Sequence, residues 1–303
     1  MSLPGVLRRW LPGAALLLAA CNGPSATTDA AVVAATTAHP ALWQVTGPKG
    51  QKGWIFGTVH ALPPEVRWLG PRIRAAVAAS DQLVLEIAQD PVKAGAAEQM
   101  QALSHVAGLP PVSQRVDPPY RGDLARLYQA IGVGDAQFRD VASWAVALEL
   151  AGGMAIKQGA KPAAGVESVL RGLAPGKPVD GFETIADQFR AFSTLSPADQ
   201  VTMLDETVHD AVGKDDPEHD VLVMWLKGNP EGIDREARKG LLSHPGLRRA
   251  LLTGRTAAWA DKLAARLAAG EHPFVAVGAA HVAGPEGLPA LLAARGLTLT
   301  RLQ

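Results

Sequence analysis

The residues in this chain best suited to chemistry are two histidines, each closing a segment of the same design. Near the start, Trp54-Ile55-Phe56-Gly57-Thr58-Val59-His60 runs as an apolar stretch into glycine, two short side chains and histidine. Near the end, Phe274-Val275-Ala276-Val277-Gly278-Ala279-Ala280-His281 does the same. Both continue to a Pro-Glu pair, Pro64-Glu65 and Pro285-Glu286. One G-x-x-H carries little information, but two copies at the ends of apolar strands point to a shared site. In open α/β sheets ligands gather beyond the carboxyl ends of strands. A glycine there permits positive φ or close backbone approach, so the chain can turn and aim an imidazole into the crevice.

Two carboxylates occupy similar positions: Glu86 ends Leu83-Val84-Leu85, and Glu183 follows the Pro178 to Phe182 stretch. A carboxylate abutting a buried strand has to be paired, hydrogen-bonded or metal-bound, because an isolated buried charge is very costly. Two imidazoles with two carboxylates suit Mn, Fe, Co or Zn better than Mg or Ca, which prefer oxygen donors. Glu183 also stands where a carboxylate would cap the following helix. Arg255 reads either as an anion clamp for substrate or as a partner for an acidic side chain on the sheet. Trp54, Trp144 and Trp259 read as core, and His39, His105, His209, His219, His244 and His272 as solvated. The chain has no phosphate-binding glycine loop, G-x-S-x-G elbow, H-E-x-x-H or dinucleotide fingerprint, so serine hydrolase and nucleotide enzyme are poor readings.

The elements that must position these groups follow from pattern. Gly53 to Gly57 predicts a short buried strand, Pro71 to Ser80 a helix with proline in its first turn, and Gln82 to Ile87 a second strand. Strand, helix, strand implies a parallel crossover pair. From about 91 to 267 the chain is expected to be mostly helical, with amphipathic helices after Asp117 and after Ser196-Pro197, another from Ala257 to Ala269, and one interrupting strand at Pro178 to Phe182. Pro273 to Val277, Pro285 to Ala294 and Leu297 to Leu302 return to strand, helix, strand. The expected fold is α/β: a central mixed, largely parallel sheet built from the N- and C-terminal segments, with a long helical insertion. The strands ending before His60, Glu86 and His281 should be neighbours in it.

The N-terminus reads as an export signal over residues 1–20, with Arg8 and Arg9 followed by the apolar run Leu11 to Leu18, which is too short to span a bilayer. Leu18-Ala19-Ala20-Cys21 resembles the lipobox of bacterial lipoproteins, so Cys21 is the expected lipidation site and, as the single cysteine, leaves none for disulfides or a Cys-ligated zinc. Several acyl chains make a durable anchor. Asn22, where an aspartate would signal inner-membrane retention, points to the outer membrane facing the periplasm. Residues 21–41 read as a flexible tether and 42–303 as one α/β domain. Lys plus Arg and Asp plus Glu number 29 each, so no net field draws nucleic acid or an anionic surface.

From about Trp43 onward the chain resembles the TraB/GumN family, whose eukaryotic relatives include the Tiki proteins. The resemblance is carried by the G-x-x-H at His60, Leu83 to Glu86, Trp144, Gly165-Val166-Glu167, Phe182-Glu183-Thr184 with Gln188, Arg255 with Trp259, and the G-x-x-H at His281 with Gly284-Pro285. Glu167 stands where aspartate is commoner in the family, Ser143 where proline is, and Thr256 where asparagine is. The resemblance implies an α/β fold and, as in the Tiki branch, a metal-dependent peptidase needing both histidines and a glutamate. Those roles map onto His60, His281 and Glu86 as metal ligands. Glu86 either completes the coordination or acts as general base, in which first case Glu183 becomes the better base. Two functions stay open: a divalent-metal-dependent hydrolase acting on a peptide or small-molecule substrate, and a non-catalytic lipoprotein that binds haem, metal or peptide.

Overall fold

A computed structural model describes residues 38–60, 62, 66–157, 165–213 and 221–303. The export signal, Cys21, most of the tether, Pro64-Glu65 and His219 lie outside the described residues.

Six strands form one sheet: β1 (Leu42–Thr46), β2 (Lys52–Thr58), β3 (Gln82–Ile87), β4 (Val179–Glu183), β5 (Pro273–Gly278) and β6 (Thr298–Arg301), in the spatial order β4-β3-β5-β2-β1-β6. β4, β3, β5 and β2 run parallel, β1 is antiparallel to β2, and β6 is antiparallel to β1. This is the mixed, largely parallel sheet expected from the two ends of the chain. One detail differs. β2 and β3 are parallel, but β5 lies between them and pairs with both, so the crossover joins strands that are not in contact. β5 is buried at all six positions and takes the centre because nothing in it tolerates water.

Alternation along the strands divides the core. Trp54, Phe56, Leu83, Leu85, Phe274 and Ala276 face one side, where Ile73 and Ala76 of helix α1 (Pro71–Ala79) pack with Trp225. Ile55, Val84, Val275 and Val277 face the other, against Trp259, Leu263 and Leu292. With both faces covered, the strands read as continuous apolar runs and not as alternating ones.

The helical insertion builds a third cluster. Helix α2 (Ser143–Lys157) is buried along most of its length, and it packs with α4 (Ile185–Ser193) and α5 (Pro197–Val212); α3 (Val166–Leu173) joins the sheet-side core instead. Ala280 and Ile87, at the carboxyl ends of β5 and β3, join the α2, α4 and α5 cluster, so those helices cap the end of the sheet where the site residues emerge. Pro at the first position and Ser196, whose side chain accepts from Asp199 N–H, start α5 as the sequence suggests. Helix α6 (Gly254–Ala268) begins three residues before the expected Ala257, directly after a π-helical turn over Arg249–Thr253. Helix α7 (Leu288–Ala294) begins later than the expected Pro285 and stops before Gly296, whose φ of +83° suits glycine. The tether ends sooner than its composition suggests: His39 N–H donates to the Leu226 carbonyl, so residues 39–41 already belong to the fold.

Candidate functional site

The strand pairing decides where the two histidines emerge. In the parallel pairing of β2 with β5, Thr58 faces Gly278 and Gly57 faces Val277, so the two G-x-x-H motifs leave adjacent strand ends one residue out of step. Glu86 leaves β3 on the other side of β5. The expectation that these three strands are neighbours is met. Neither motif glycine uses positive φ, and at Gly57 the operative reason is close approach. A Cβ at Gly57 would lie 2.8 Å from Val282 Cγ2 and 3.2 Å from Ala279 Cα. The first motif is thus packed against the turn that carries the second histidine.

His60 is held from the loop that starts α3. Val166 N–H donates to the Val59 carbonyl at 3.3 Å, and a Cβ on Gly165 would come inside 3.0 Å of the His60 carbonyl oxygen, so only glycine lets this loop close on the motif. That closure brings Glu167 Oε1 to 2.8 Å from His60 Nδ1, and the Thr58 hydroxyl donates to the same oxygen at 2.5 Å. An ionised carboxylate only accepts, so Nδ1 carries the proton of this bond. Burial opposes the charged ring of His60, yet the charge and hydrogen bond of Glu167, with Glu86 beyond, outweigh it and bring the imidazole up to about 9.

His281 is held differently. It sits in the 3-10 turn Ala279–Val282 and is almost fully buried. Its Nδ1 lies 2.7 Å from Thr256 Oγ1, and that hydroxyl donates to the Leu252 carbonyl at 2.7 Å. Because the single hydroxyl proton is committed to Leu252, His281 Nδ1 must be the donor and its Nε2 is left with a bare lone pair. Burial pushes His281 down to about 3, so the ring is neutral at ordinary pH. Trp259 lies against its face, with ring centroids 4.3 Å apart.

The acceptor carbonyls come from the π-helical turn, a feature that recurs at functional sites. Leu251 O accepts from Arg255 Nη1 at 3.0 Å, and Leu252 O from Thr256. Gly254 permits the turn: a Cβ there would lie 2.8 Å from the Arg249 carbonyl oxygen.

Both carboxylates converge on Arg255. Its Nε lies 3.0 and 3.1 Å from the two oxygens of Glu183, its Nη2 donates to Glu183 Oε2 at 2.8 Å and to Glu86 Oε2 at 3.3 Å, and Trp259 Nε1 donates to Glu183 Oε1 at 2.9 Å. Of the two readings of Arg255, the partner for acidic side chains on the sheet is the one observed. The cap of the helix after Glu183 is Thr184, whose side chain accepts from Asp187 N–H. Glu86 also accepts the Gly278 N–H at 2.6 Å on Oε1, and Gln188 Nε2 lies 3.4 Å from its Oε2. Burial would raise Glu86, but His281, Arg255, His60 and the Gly278 N–H reverse that and hold it down at about 2. Its Oε1 faces His281 Nε2 at 3.9 Å.

The structure therefore gathers His60, Glu86, Glu183, Arg255 and His281 at one end of the sheet. Among the described residues no three His, Cys, Asp or Glu side chains close into a ready-made metal-ligand set. The donor chemistry nevertheless suits a cation: a bare imidazole nitrogen and an ionised carboxylate oxygen, both electron-rich, face each other in a buried place. Tetrahedral bonds of about 2.1 Å separate two donors by about 3.4 Å, close to the 3.9 Å seen. Beside them Gln188 Oε1 is buried with no hydrogen-bond partner among the described residues.

Residue-by-residue reasoning missed Thr58, Thr256 and the second role of Trp259, which is core but also bonds Glu183 and lies against His281. Glu167 and Gln188 stand in the segments that carry the family resemblance without having been given a role. Glu286, of the second Pro-Glu pair, is engaged by Arg248 at 2.6 Å.

Comparison with curated proteins and with solved structures gives no match. A family model described as the TraB/PrgY/gumN family matches residues 41–301, which takes in all six strands and every side chain of the site. The chain belongs to the TraB/PrgY/gumN family.

Proposed function

We propose that this protein is a divalent-metal-dependent hydrolase of peptide bonds, displayed in the cell envelope by lipid on Cys21, with the domain on the periplasmic side of the outer membrane. The observation that carries the reading is the pair of G-x-x-H imidazoles whose Nδ1 atoms are both engaged, with the bare Nε2 of His281 turned towards Glu86. Metal-binding histidines generally have this arrangement, the second nitrogen being bonded to a carboxylate or other acceptor. Charge balance supports it. Three largely enclosed carboxylates, Glu86, Glu167 and Glu183, stand against the Arg255 guanidinium and a protonated His60, so the site keeps one uncompensated negative charge, and two once His60 gives up its Nε2 proton to a cation.

His60 Nε2, His281 Nε2 and Glu86 would hold the ion, and Mn, Co, Zn and Fe suit that donor set. When bound, such an ion supplies Lewis-acid polarisation of the scissile carbonyl and lowers the pKa of water towards neutrality. Arg255 keeps Glu86 ionised and aimed. Glu183, whose oxygens accept from both Arg255 and Trp259, serves to orient that guanidinium.

Metal analysis of the full-length chain purified in detergent, together with peptide cleavage before and after chelation, tests the reading. Stoichiometric metal is expected in the wild type. His60→Ala and His281→Ala should lose metal and cleavage together, and Glu86→Gln should lose at least cleavage, by roughly 10²–10⁴-fold. Wild-type metal content and cleavage in both histidine variants would remove the hydrolase reading, and tight one-to-one binding of haem or peptide without turnover would put the binding lipoprotein in its place.

A further inference from the structure

The two imidazoles are matched in position and unmatched in what stands behind them. Glu167, itself held below the usual carboxylate range by His60 and the Thr58 hydroxyl although burial acts the other way, offers His60 a full negative charge at 2.8 Å. Thr256 offers His281 a hydroxyl oxygen at 2.7 Å, and it is an acceptor only because the Leu252 carbonyl takes its proton. The two supports come from unrelated elements, the first turn of α3 and the first turn of α6, which follows the π-helical turn.

We propose that Glu167 and Thr256 are paired positioning residues that hold the Nδ1 of His60 and of His281 as N–H donors, so that Nε2 is the nitrogen each neutral ring presents to a cation, and that they grade the two rings, His60 being the stronger donor. The consequence for a cation rests on the metal-dependent reading above; the tautomers do not. A carboxylate behind an imidazole N–H raises the electron density at the far nitrogen, whereas a neutral hydroxyl fixes orientation with little such effect. In Thr256 the two bonds are interdependent: the oxygen can accept from His281 only while its proton points to Leu252. A side chain of the same shape without the hydroxyl removes the acceptor and leaves the ring to choose its tautomer. Serine keeps both bonds.

The test reads the metal-free protein first. Nitrogen-15 NMR of histidine-labelled full chain above the value of about 9 at which His60 loses its proton, with the His60 and His281 signals assigned by single His→Ala variants, should show both neutral rings protonated on Nδ1. Thr256→Val should shift the His281 signals towards the other tautomer, and Thr256→Ser should restore them. Glu167→Gln should keep the His60 tautomer, since an amide oxygen still accepts. Titration with Mn²⁺ and Zn²⁺ then reads the grading: Glu167→Gln should weaken binding about 10–100-fold, and Thr256→Ser should stay near wild type. An Nε2–H tautomer at His281 in the wild type, an unchanged tautomer in Thr256→Val, or unchanged affinity in Glu167→Gln would each overturn the proposal. If the tautomers are as stated but neither ion binds the wild type, the positioning role stands and the metal-dependent reading falls.

Discussion

The two G-x-x-H motifs give the same four-residue pattern two different environments. His60 follows an extended strand end, keeps a side-chain exposure of 20%, and is backed by a carboxylate from the first turn of α3, more than a hundred residues away. His281 lies in a 3-10 turn, is 5% exposed, and is backed by a hydroxyl and the face of an indole, both from the helix just before its strand. The motif therefore decides where an imidazole emerges; what it becomes chemically is decided by elements the motif does not contain. Burial opposes a proton on both rings, yet one favours it and the other refuses it, because only the first has a carboxylate in contact with its N–H.

Arg255 touches the carboxylates that lie between the two halves, so its removal is the largest disruption available. Arg255→Met should leave Glu86 and Glu183 buried beside each other without their guanidinium, at a cost of about 3–5 kcal/mol. Urea denaturation should show a large fall in midpoint with unchanged slope. A loss below about 1 kcal/mol would mean that the pair is solvated and that the site is more open than the geometry shows.

The helical insertion supplies the opposite case. Glu149 of α2 is 7% exposed and is pushed up to about 7 by burial alone, whereas Glu86, its side chain 13% exposed, is brought down to about 2 by its partners. A raised carboxylate stabilises the fold at pH values below its unfolded value, near 4.5, and that contribution is lost as pH climbs through about 7. Glu149→Gln should accordingly be neutral at pH 4 and should stabilise above pH 7, by up to about 3 kcal/mol. A variant with no pH-dependent difference in melting temperature would show that Glu149 meets solvent or a partner.

Much of this arrangement was legible in the sequence. β3 falls on the expected residues, β2 runs one residue further at each end and β5 one further at its carboxyl end, because strands buried on both faces are written as unbroken apolar runs. The gathering of His60, Glu86 and His281 followed from their common place at strand ends. The position of β5 between β2 and β3 was not legible, since a parallel strand chooses its neighbour through contacts across the whole chain. Thr58 and Thr256 were hidden for another reason: a hydroxyl next to a charged motif residue looks the same in sequence whether it meets water or completes a network. Two of the three departures from the family pattern, Glu167 and Thr256, fall on the side chains that hold the histidines. The helix expected to start at Ala257 begins at Gly254, the residue that admits the π-helical turn before it.

Two glycine substitutions separate the halves. Gly165→Ala would press a methyl group into the His60 carbonyl, and Gly57→Ala into Val282 and Ala279 of the opposite motif. Each should cost about 1–3 kcal/mol, the range for overpacking. The difference lies in which ring feels it. Gly165→Ala should move the His60 NMR signals by pulling Glu167 away, whereas Gly57→Ala, although it lies in the first motif, should move those of His281. If both variants perturb the same histidine, the two half-sites are not separable as described.

The finest division runs through Thr58. Its hydroxyl is fully buried and donates at 2.5 Å to the Glu167 oxygen that also receives His60 Nδ1–H. Thr58→Val keeps the volume and the β-branched shape that a strand end favours, so packing is preserved and a single hydrogen bond is removed. The loss should be small, about 1 kcal/mol, because the carboxylate keeps the bond from His60 and does not become an orphan. The distribution of charge between the two remaining groups should nevertheless change. With one donor fewer, Glu167 draws more strongly on the imidazole N–H, so the His60 Nδ1–H proton should move downfield while the His281 signals stay where they are. A Thr58→Val protein that loses several kcal/mol, or that shifts His281 as much as His60, would mean that the hydroxyl supports the junction of both motifs and not the carboxylate behind the first.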